Sequence, residues 1–176
     1  MNEKNIVRLM ELNLQIGFRI LLKEYKEPIY WHIRRITVNS EDAQDATQET
    51  FVRVFRSFGQ YDRSRSFTAW LYRIATNEAM RIVGKRHPSV NLEDSEEAMK
   101  TLVDEYVDLK DVEAVTFQKA ILSLPPKQRA TFTLRYYDEL SFSEIAEITD
   151  TTPDGAKANW HNAKVKVSNY LKEYYG

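Results

Sequence analysis

Apolar residues recur at spacings of three and four through most of this chain, a pattern that predicts an all-α fold. The clearest stretch runs from Leu124 to Leu171. Pro125 and Pro126 suit the opening of a helix, and Phe132, Leu134, Tyr136 and Tyr137 among polar neighbours predict one buried helix ending near Asp138. Ser141 with Glu144 three residues on makes a capping box, which starts a short helix that buries Ile145, Ala146 and Ile148. Thr152 then caps a third helix, Pro153 fits its first position, and Ala156, Trp160, Ala163, Val167 and Leu171 share one face. The opposite face carries Lys157, Ala158, His161, Asn162 and Lys164. A short helix, a tight turn and a longer helix with a polar outer side make a helix-turn-helix, whose second helix can enter the major groove and reach phosphates and base edges. A three-helix bundle with a solvated face fits the same segment.

A second pattern begins at Ser40. A capping Ser40, first-turn acids and an apolar face through Ala43, Ala46, Thr50, Phe51, Val54, Phe55 and Phe58 predict a strong helix. Asp45, Gln48, Glu49, Val52 and Arg56 form a separate stripe with an acidic start. The loop and helix that follow combine Phe58, Tyr61, Phe67, Trp70 and Tyr72 with Arg63, Arg65, Arg73, Arg81, Lys85 and Arg86. Rings interleaved with cations suit single-stranded nucleic acid, because bases stack on rings while cations neutralise phosphates. Trp70, Ile74 and Val83 sit at helical spacing and are expected in the core, which leaves Tyr61 and at most one neighbour as rings expected to meet a base.

Charge changes this picture. The net charge of −1 is unpromising for a nucleic-acid binder, but it is unevenly spread: +5 over residues 1–86, −7 over 87–116 and +1 over 117–176. Pro88 and the acid-rich stretch after it read as a linker, giving a front domain at 1–87, an acidic linker at 88–111 and a rear domain at 112–176. As a flexible coil such a linker spans roughly 30 Å, and about 100 Å when fully extended. It therefore reaches DNA sites one to two helical turns apart, about 34–70 Å. The first twenty residues predict a further amphipathic helix through Ile6, Leu9, Met10, Leu14 and Ile16, with no assigned role. Glu3 and Glu11 interrupt any signal-peptide pattern, and no apolar run is long enough to span a membrane.

Enzyme chemistry finds little support. The chain has no Cys, its three His residues are widely separated, and its five Gly residues form neither a phosphate loop nor a nucleophile elbow. No catalytic residue, metal ligand set or cofactor is expected, and His32, beside Trp31 on the first helix pair, is expected as a boundary residue rather than a ligand.

Taken in order, FRILLKEYKEPIYWHIRRI, EDAQDATQETFVRVF, SFTAWLYRIATNEAMRIV and LPPKQRATFTLRYYDELSFSEIAEI resemble successive segments of the extracytoplasmic-function (ECF, group IV) sigma factors of bacterial RNA polymerase. The resemblance runs from Phe18 to Leu171. It implies two helical domains, a region 2 bundle and a region 4 helix-turn-helix, and a protein that binds core polymerase in the cytoplasm and directs initiation through the −10 and −35 promoter elements. The first segment resembles the family's first helix pair. Asp45, Gln48, Glu49, Val52 and Phe55 would then dock on the coiled coil of the largest polymerase subunit. The loop Gly59–Ser66 would hold a flipped −10 base, with Tyr61, Arg63, Arg65, Asn77 and Arg81 as DNA contacts and Asn77 lining the same pocket. Lys157, Ala158, Asn159, His161, Asn162 and Lys164 would face the −35 element. The flap region of the second-largest subunit and an anti-sigma factor are further partners the resemblance allows.

The recognition helix departs from the family's pattern. Asp154, Gly155, Ala156, Lys157, Ala158 and Asn159 stand where Gly-Thr-Val-Lys-Ser-Arg is frequent, and Asn162 stands where Arg is common. Fewer Arg residues mean fewer phosphate and guanine contacts, so the −35 sequence does not follow from the resemblance. Two rivals stay open: a stand-alone helix-turn-helix regulator, and a sigma-shaped module that sequesters polymerase or a regulator.

Overall fold

The computed structural model describes residues 1–85 and 112–176, so the expected linker, 88–111, lies outside the described residues. Eight α-helices and no strand occur among the described residues. α1 (Glu3–Leu12) and α2 (Leu14–Thr37) meet at Asn13, whose backbone N–H closes α1 on the Leu9 carbonyl. Its side chain caps α2 by accepting from Ile16 N at 3.1 Å. This break resets the helical register. Ile6 and Met10 are buried as the periodicity predicts, whereas Ile16 is 53% exposed. Gly17 permits the tight return, since a Cβ there would lie 2.4 Å from Met10 N.

The segment expected as a helix pair is one continuous helix, α2, 24 residues long with Pro28 inside it. Only one backbone bond is lost at a proline, and the buried Ile29, Ile33 and Ile36 hold the following turns in place. α3 (Ser40–Ser57) follows, capped by Asn39 rather than Ser40: the Asn39 side chain accepts from Asp42 N at 3.0 Å. After a 3-10 turn (Phe58–Gln60) and an irregular loop comes α4 (Phe67–Lys85). These four helices bury Leu21, Ile33, Ala46, Phe51, Val54, Phe67 and Leu71 in a common core.

In the rear half, α5 (Val112–Leu122) leads to α6 (Pro126–Tyr136). α7 (Phe142–Thr149) carries the expected capping box in full, with Ser141 and Glu144 satisfying each other's backbone N–H. α8 (Pro153–Tyr175) is capped by Thr152, which accepts from Gly155 N at 3.0 Å. Ala120, Ile121, Leu124, Phe132, Ala163 and Val167 make a local core, flanked by Phe117, Trp160 and Leu171.

The two halves are packed together. α2 lies against α6 and α4 against α7. Leu134, Leu140, Ile145, Ala146, Ile148 and Ala156 of the rear half belong to the same apolar cluster as the front bundle. In this seam His32 is fully buried, which corrects its expected place as a boundary residue. His32 Nδ1 lies 2.7 Å from Asp138 Oδ2 and Nε2 lies 2.8 Å from Thr76 Oγ1. A carboxylate only accepts, so Nδ1 carries the donated proton. The Arg35 guanidinium stacks over the Tyr137 ring at 3.9 Å, adding a cation–π contact across the seam.

Candidate nucleic-acid and polymerase interfaces

α3 buries Ala43, Ala46, Thr47, Thr50, Phe51 and Val54, and this leaves Asp45, Gln48, Glu49, Val52 and Phe55 on one accessible face. Val52 is 39% and Phe55 37% exposed, so apolar surface sits beside the acids. Phe55, expected on the apolar face, lies at its edge, packing edge-on against Phe18 at 5.1 Å. Arg53 links α3 to α4 through Glu78, Nε to Oε1 at 2.7 Å. Glu78 is nearly buried and also receives Arg81 at 2.9 Å. Arg81, expected to contact DNA, is thereby held along its own helix.

The loop between Gln60 and Phe67 frames a cavity of about 220 Å³, lined by Gln60, Tyr61, Asp62, Arg65, Ser66, Ala69, Trp70, Arg73 and Glu147. This is below the roughly 300–1,000 Å³ of drug-sized ligand sites and suits a single planar ring system. Tyr61, expected as the ring that meets a base, is only 6% exposed. Its ring packs with Phe58, Phe67 and Trp70 at centroid distances of 6.3, 5.4 and 5.1 Å, and its hydroxyl donates to Arg65 O at 2.5 Å. Burial, then the Glu3 carboxylate, raises its phenol pKa. Tyr61 is thus a wall of the cavity and a pillar of the loop. Asn77 lies outside the cavity, one turn beyond Arg73 on α4. Arg73 and Trp70 were not singled out as contacts from sequence, although Trp70, Arg73 and Asn77 follow one another at helical spacing.

Arg63 also differs from expectation. Its guanidinium donates to Phe58 O at 3.0 Å and Tyr61 O at 2.5 Å, lies over the Phe58 ring at 4.4 Å, and pairs with Glu11 of α1 at 2.7 Å. It staples the loop while its side chain stays 39% exposed. Arg65 stays outward, its side chain 62% exposed beside Asp62 at 3.7 Å. Hydrogen bonds from the Ser64 hydroxyl and backbone N–H hold the Asp62 carboxyl below its usual pKa. α1, to which the sequence assigns no role, also caps α4: Glu3 accepts from Phe67 N at 2.6 Å and from Thr68 Oγ1 at 2.8 Å. No local pattern announces such a contact, because the acceptor lies 64 residues from the donor.

Lys157, Ala158, Asn159, His161, Asn162 and Lys164 are all exposed on α8, while Ala156, Ala163 and Val167 face inward. Lys157 Nζ lies 5.9 Å from the Phe142 ring and Lys164 Nζ 5.3 Å from Trp160, so both stems rest on rings. Among the described residues no group of three or more His, Asp or Glu side chains could hold a metal ion, and no helix is long and apolar enough to cross a membrane.

Residues 21–87 match Sigma-70 region 2 and residues 114–167 match Sigma-70, region 4. The chain is 32% identical to the ECF RNA polymerase sigma factor SigW of Bacillus subtilis over 171 residues, covering 90% of this chain and 91% of that protein. It is 31% identical to the RNA polymerase sigma-H factor of Pseudomonas aeruginosa over 181 residues, covering 97% and 94%. Its fold is similar to CnrH, solved in complex with the cytosolic domain of CnrY, with a TM-score of 0.72 at 18% identity over 97% of both chains. It is also similar to the sigma factor RpoE from Bartonella quintana, solved with the anti-sigma factor NepR, with a TM-score of 0.68 at 19% identity over 88% of this chain and 96% of that one. Two all-helical halves, in the order region 2 then region 4, and full-length identity above 30% lead to one conclusion: the chain belongs to the ECF RNA polymerase sigma factors.

Proposed function

We propose that this sigma factor divides its work between residues 1–87, which bind core polymerase and melt the −10 element, and residues 112–176, which dock on the −35 element, with 88–111 as the acidic connector. The observation that carries this reading is the juxtaposition on the front bundle. The exposed acidic and apolar face of α3 and the ring-walled cavity of the loop are joined through the Arg53–Glu78 pair. Asp45, Gln48, Glu49, Val52 and Phe55 meet the basic coiled coil of the largest subunit. Arg65, Tyr61, Trp70 and Arg73 receive a flipped base and its phosphates, while Arg63 and Arg81 act by fixing the loop and helix. Asn77 extends the track beyond the cavity. Lys157, Ala158, Asn159, His161, Asn162 and Lys164 of α8 read the −35 element.

The protein supplies binding energy and strand separation, and polymerase performs the chemistry, so the chain is not itself an enzyme. It works in the cytoplasm, where the flap of the second-largest subunit and an anti-sigma factor are its further partners. Transcription by purified core polymerase on a pool of promoter fragments, with and without the protein, tests the reading. New start sites sharing two spaced motifs support it. Core binding without new transcripts would favour a sequestering module, and absence of core binding would favour a stand-alone regulator. Asp45→Arg places like charge against the basic coiled coil and is expected to weaken core binding about tenfold while helicity is kept. Wild-type affinity in that variant would overturn the α3 assignment.

A further inference from the structure

Two carboxylates of α1 grip the loop that frames the cavity, one at each end. Glu11 accepts from Arg63 Nε at 2.7 Å, and Arg63 Nη1 donates to Phe58 O at 3.0 Å and to Tyr61 O at 2.5 Å. The same guanidinium lies 4.4 Å from the Phe58 ring centroid and 5.1 Å from that of Tyr61. At the other end Glu3 takes the Phe67 N–H and the Thr68 hydroxyl, directly after the cavity residue Ser66. Glu3 and Glu11 lie about 12 Å apart along their helix, at roughly 1.5 Å of rise per residue. α1 is itself fixed, since Ile6 and Met10 are buried and Gly17 brings α2 close to Met10.

None of Glu3, Glu11 and Arg63 lines the cavity. The Arg63 and Glu11 side chains are 39% and 44% exposed, and an ion pair so open to water contributes little to stability. What the pair fixes is geometry. With Nε held by the carboxylate, the planar guanidinium keeps its Nη1 donor on two carbonyls that set the path of the loop. Tyr61, which owns one of those carbonyls, is a wall of the cavity. A loop already in its binding shape has little freedom left to lose when a ring enters. We propose that α1 is a positioning element for base capture: Glu11 through Arg63, and Glu3 through the first turn of α4, hold the 61–66 loop in the shape that receives a flipped base. The proposal rests on the reading of the cavity as the −10 site. It gives the N-terminal helix a task in strand opening, separate from core binding by α3 and −35 docking by α8.

The test uses the full chain with core polymerase on one promoter recovered from the transcribed pool, comparing wild type with Glu11→Ala, Glu11→Gln and Glu3→Ala. Because the Glu11–Arg63 pair is exposed, Glu11→Ala should melt at the wild-type temperature and keep its affinity for core and for the closed promoter. Amide exchange across 61–66 should quicken. Apparent affinity falls with the competent fraction, so a loop competent about one third of the time should lower the opening equilibrium about threefold, read by permanganate reactivity. Glu11→Gln keeps an acceptor for Arg63 Nε and should recover part of the loss. Glu3→Ala, at the other anchor, should lower opening as well. Unchanged exchange across the loop in both alanine variants overturns the positioning role. Faster exchange with opening unchanged overturns the −10 reading of the cavity and leaves the grip of α1 on the loop standing. In Glu11→Ala, a fall in melting temperature and closed-complex affinity that matches the loss of opening marks a structural role alone and overturns the proposal.

Discussion

His32 Nδ1 and Asp138 Oδ2 lie 2.7 Å apart although 106 positions separate them in the chain. Both side chains are almost wholly withdrawn from water, at 0% and 6% exposure. Removing one partner strands the other in a low-dielectric seam. Asp138→Ala is expected to lower stability by about 3–5 kcal/mol, the range for breaking a buried pair. Thr76→Val, which takes only the Nε2 partner, should lower it by about 1–3 kcal/mol. Urea unfolding of the full chain measures both, and the reverse order would show that the Asp138 side of the cluster is solvated.

Glu3 ties α1 to the first turn of α4 through two hydrogen bonds. Glu3→Ala should cost about 1 kcal/mol, as loss of a helix cap does, with faster hydrogen exchange concentrated at the Phe67 and Thr68 amides. Glu3→Gln keeps one acceptor oxygen and should recover part of the protection. Exchange that stays slow in Glu3→Ala would mean that packing alone holds α1 in place.

Tyr61 separates two effects when substituted twice. Tyr61→Ala removes a ring packed among Phe58, Phe67 and Trp70 and is expected to destabilise by about 3–5 kcal/mol. Tyr61→Phe keeps the ring and loses the bond to Arg65 O, with a stability loss of only about 0.5–1.5 kcal/mol. Permanganate footprinting of promoter complexes should show less strand opening for Tyr61→Phe with closed-complex binding retained. Equal loss of both complexes would assign the hydroxyl a purely structural task.

Tyr72 gives a pH signature. Burial, followed by the neighbouring Asp138 carboxylate and Tyr25, raises its phenol above the ordinary 10.0. The folded state thus disfavours the phenolate, so this contribution is intact below about pH 10 and is lost as pH rises further. Thermal melts from about pH 8 to 11 should show an alkaline decline that Tyr72→Phe makes shallower. Parallel curves for the two proteins would show that another group controls the decline.

Local signals carried much of the fold. The Ser141–Glu144 box and the Thr152–Pro153 start are written in adjacent residues, and both helices begin where those residues stand. The α3 stripe was likewise readable, because burial of one helical face dictates what the other exposes. Four features were hidden for physical reasons. The segment that resembles a helix pair is one helix, because α2, anchored by buried Leu21 before Pro28 and by Ile29, Ile33 and Ile36 after it, continues through one missing bond. Asn39 took the cap from Ser40 because Val38 ends α2 at a φ of 65° and sets the chain's exit one residue earlier. Arg63 and Arg81 are also tied to Glu11 and Glu78, and the Tyr61 hydroxyl to Arg65 O, partners within the fold that residue type alone does not announce. His32 was misplaced because its partners lie 44 and 106 residues away, beyond any periodicity.

The apolar cluster that runs through both halves also bears on cooperativity and on the connector's length. Leu134, Leu140 and Ile145 share a core with Leu21 and Ile33, so heat should melt the two halves in one transition rather than in sequence. Closing a chain segment over an existing contact depends only weakly on length, with each doubling costing about 0.6 kcal/mol. Stability of the closed form therefore sets little constraint on how many residues join α4 to α5. Under the proposed division of work, the distance between promoter elements sets that number instead.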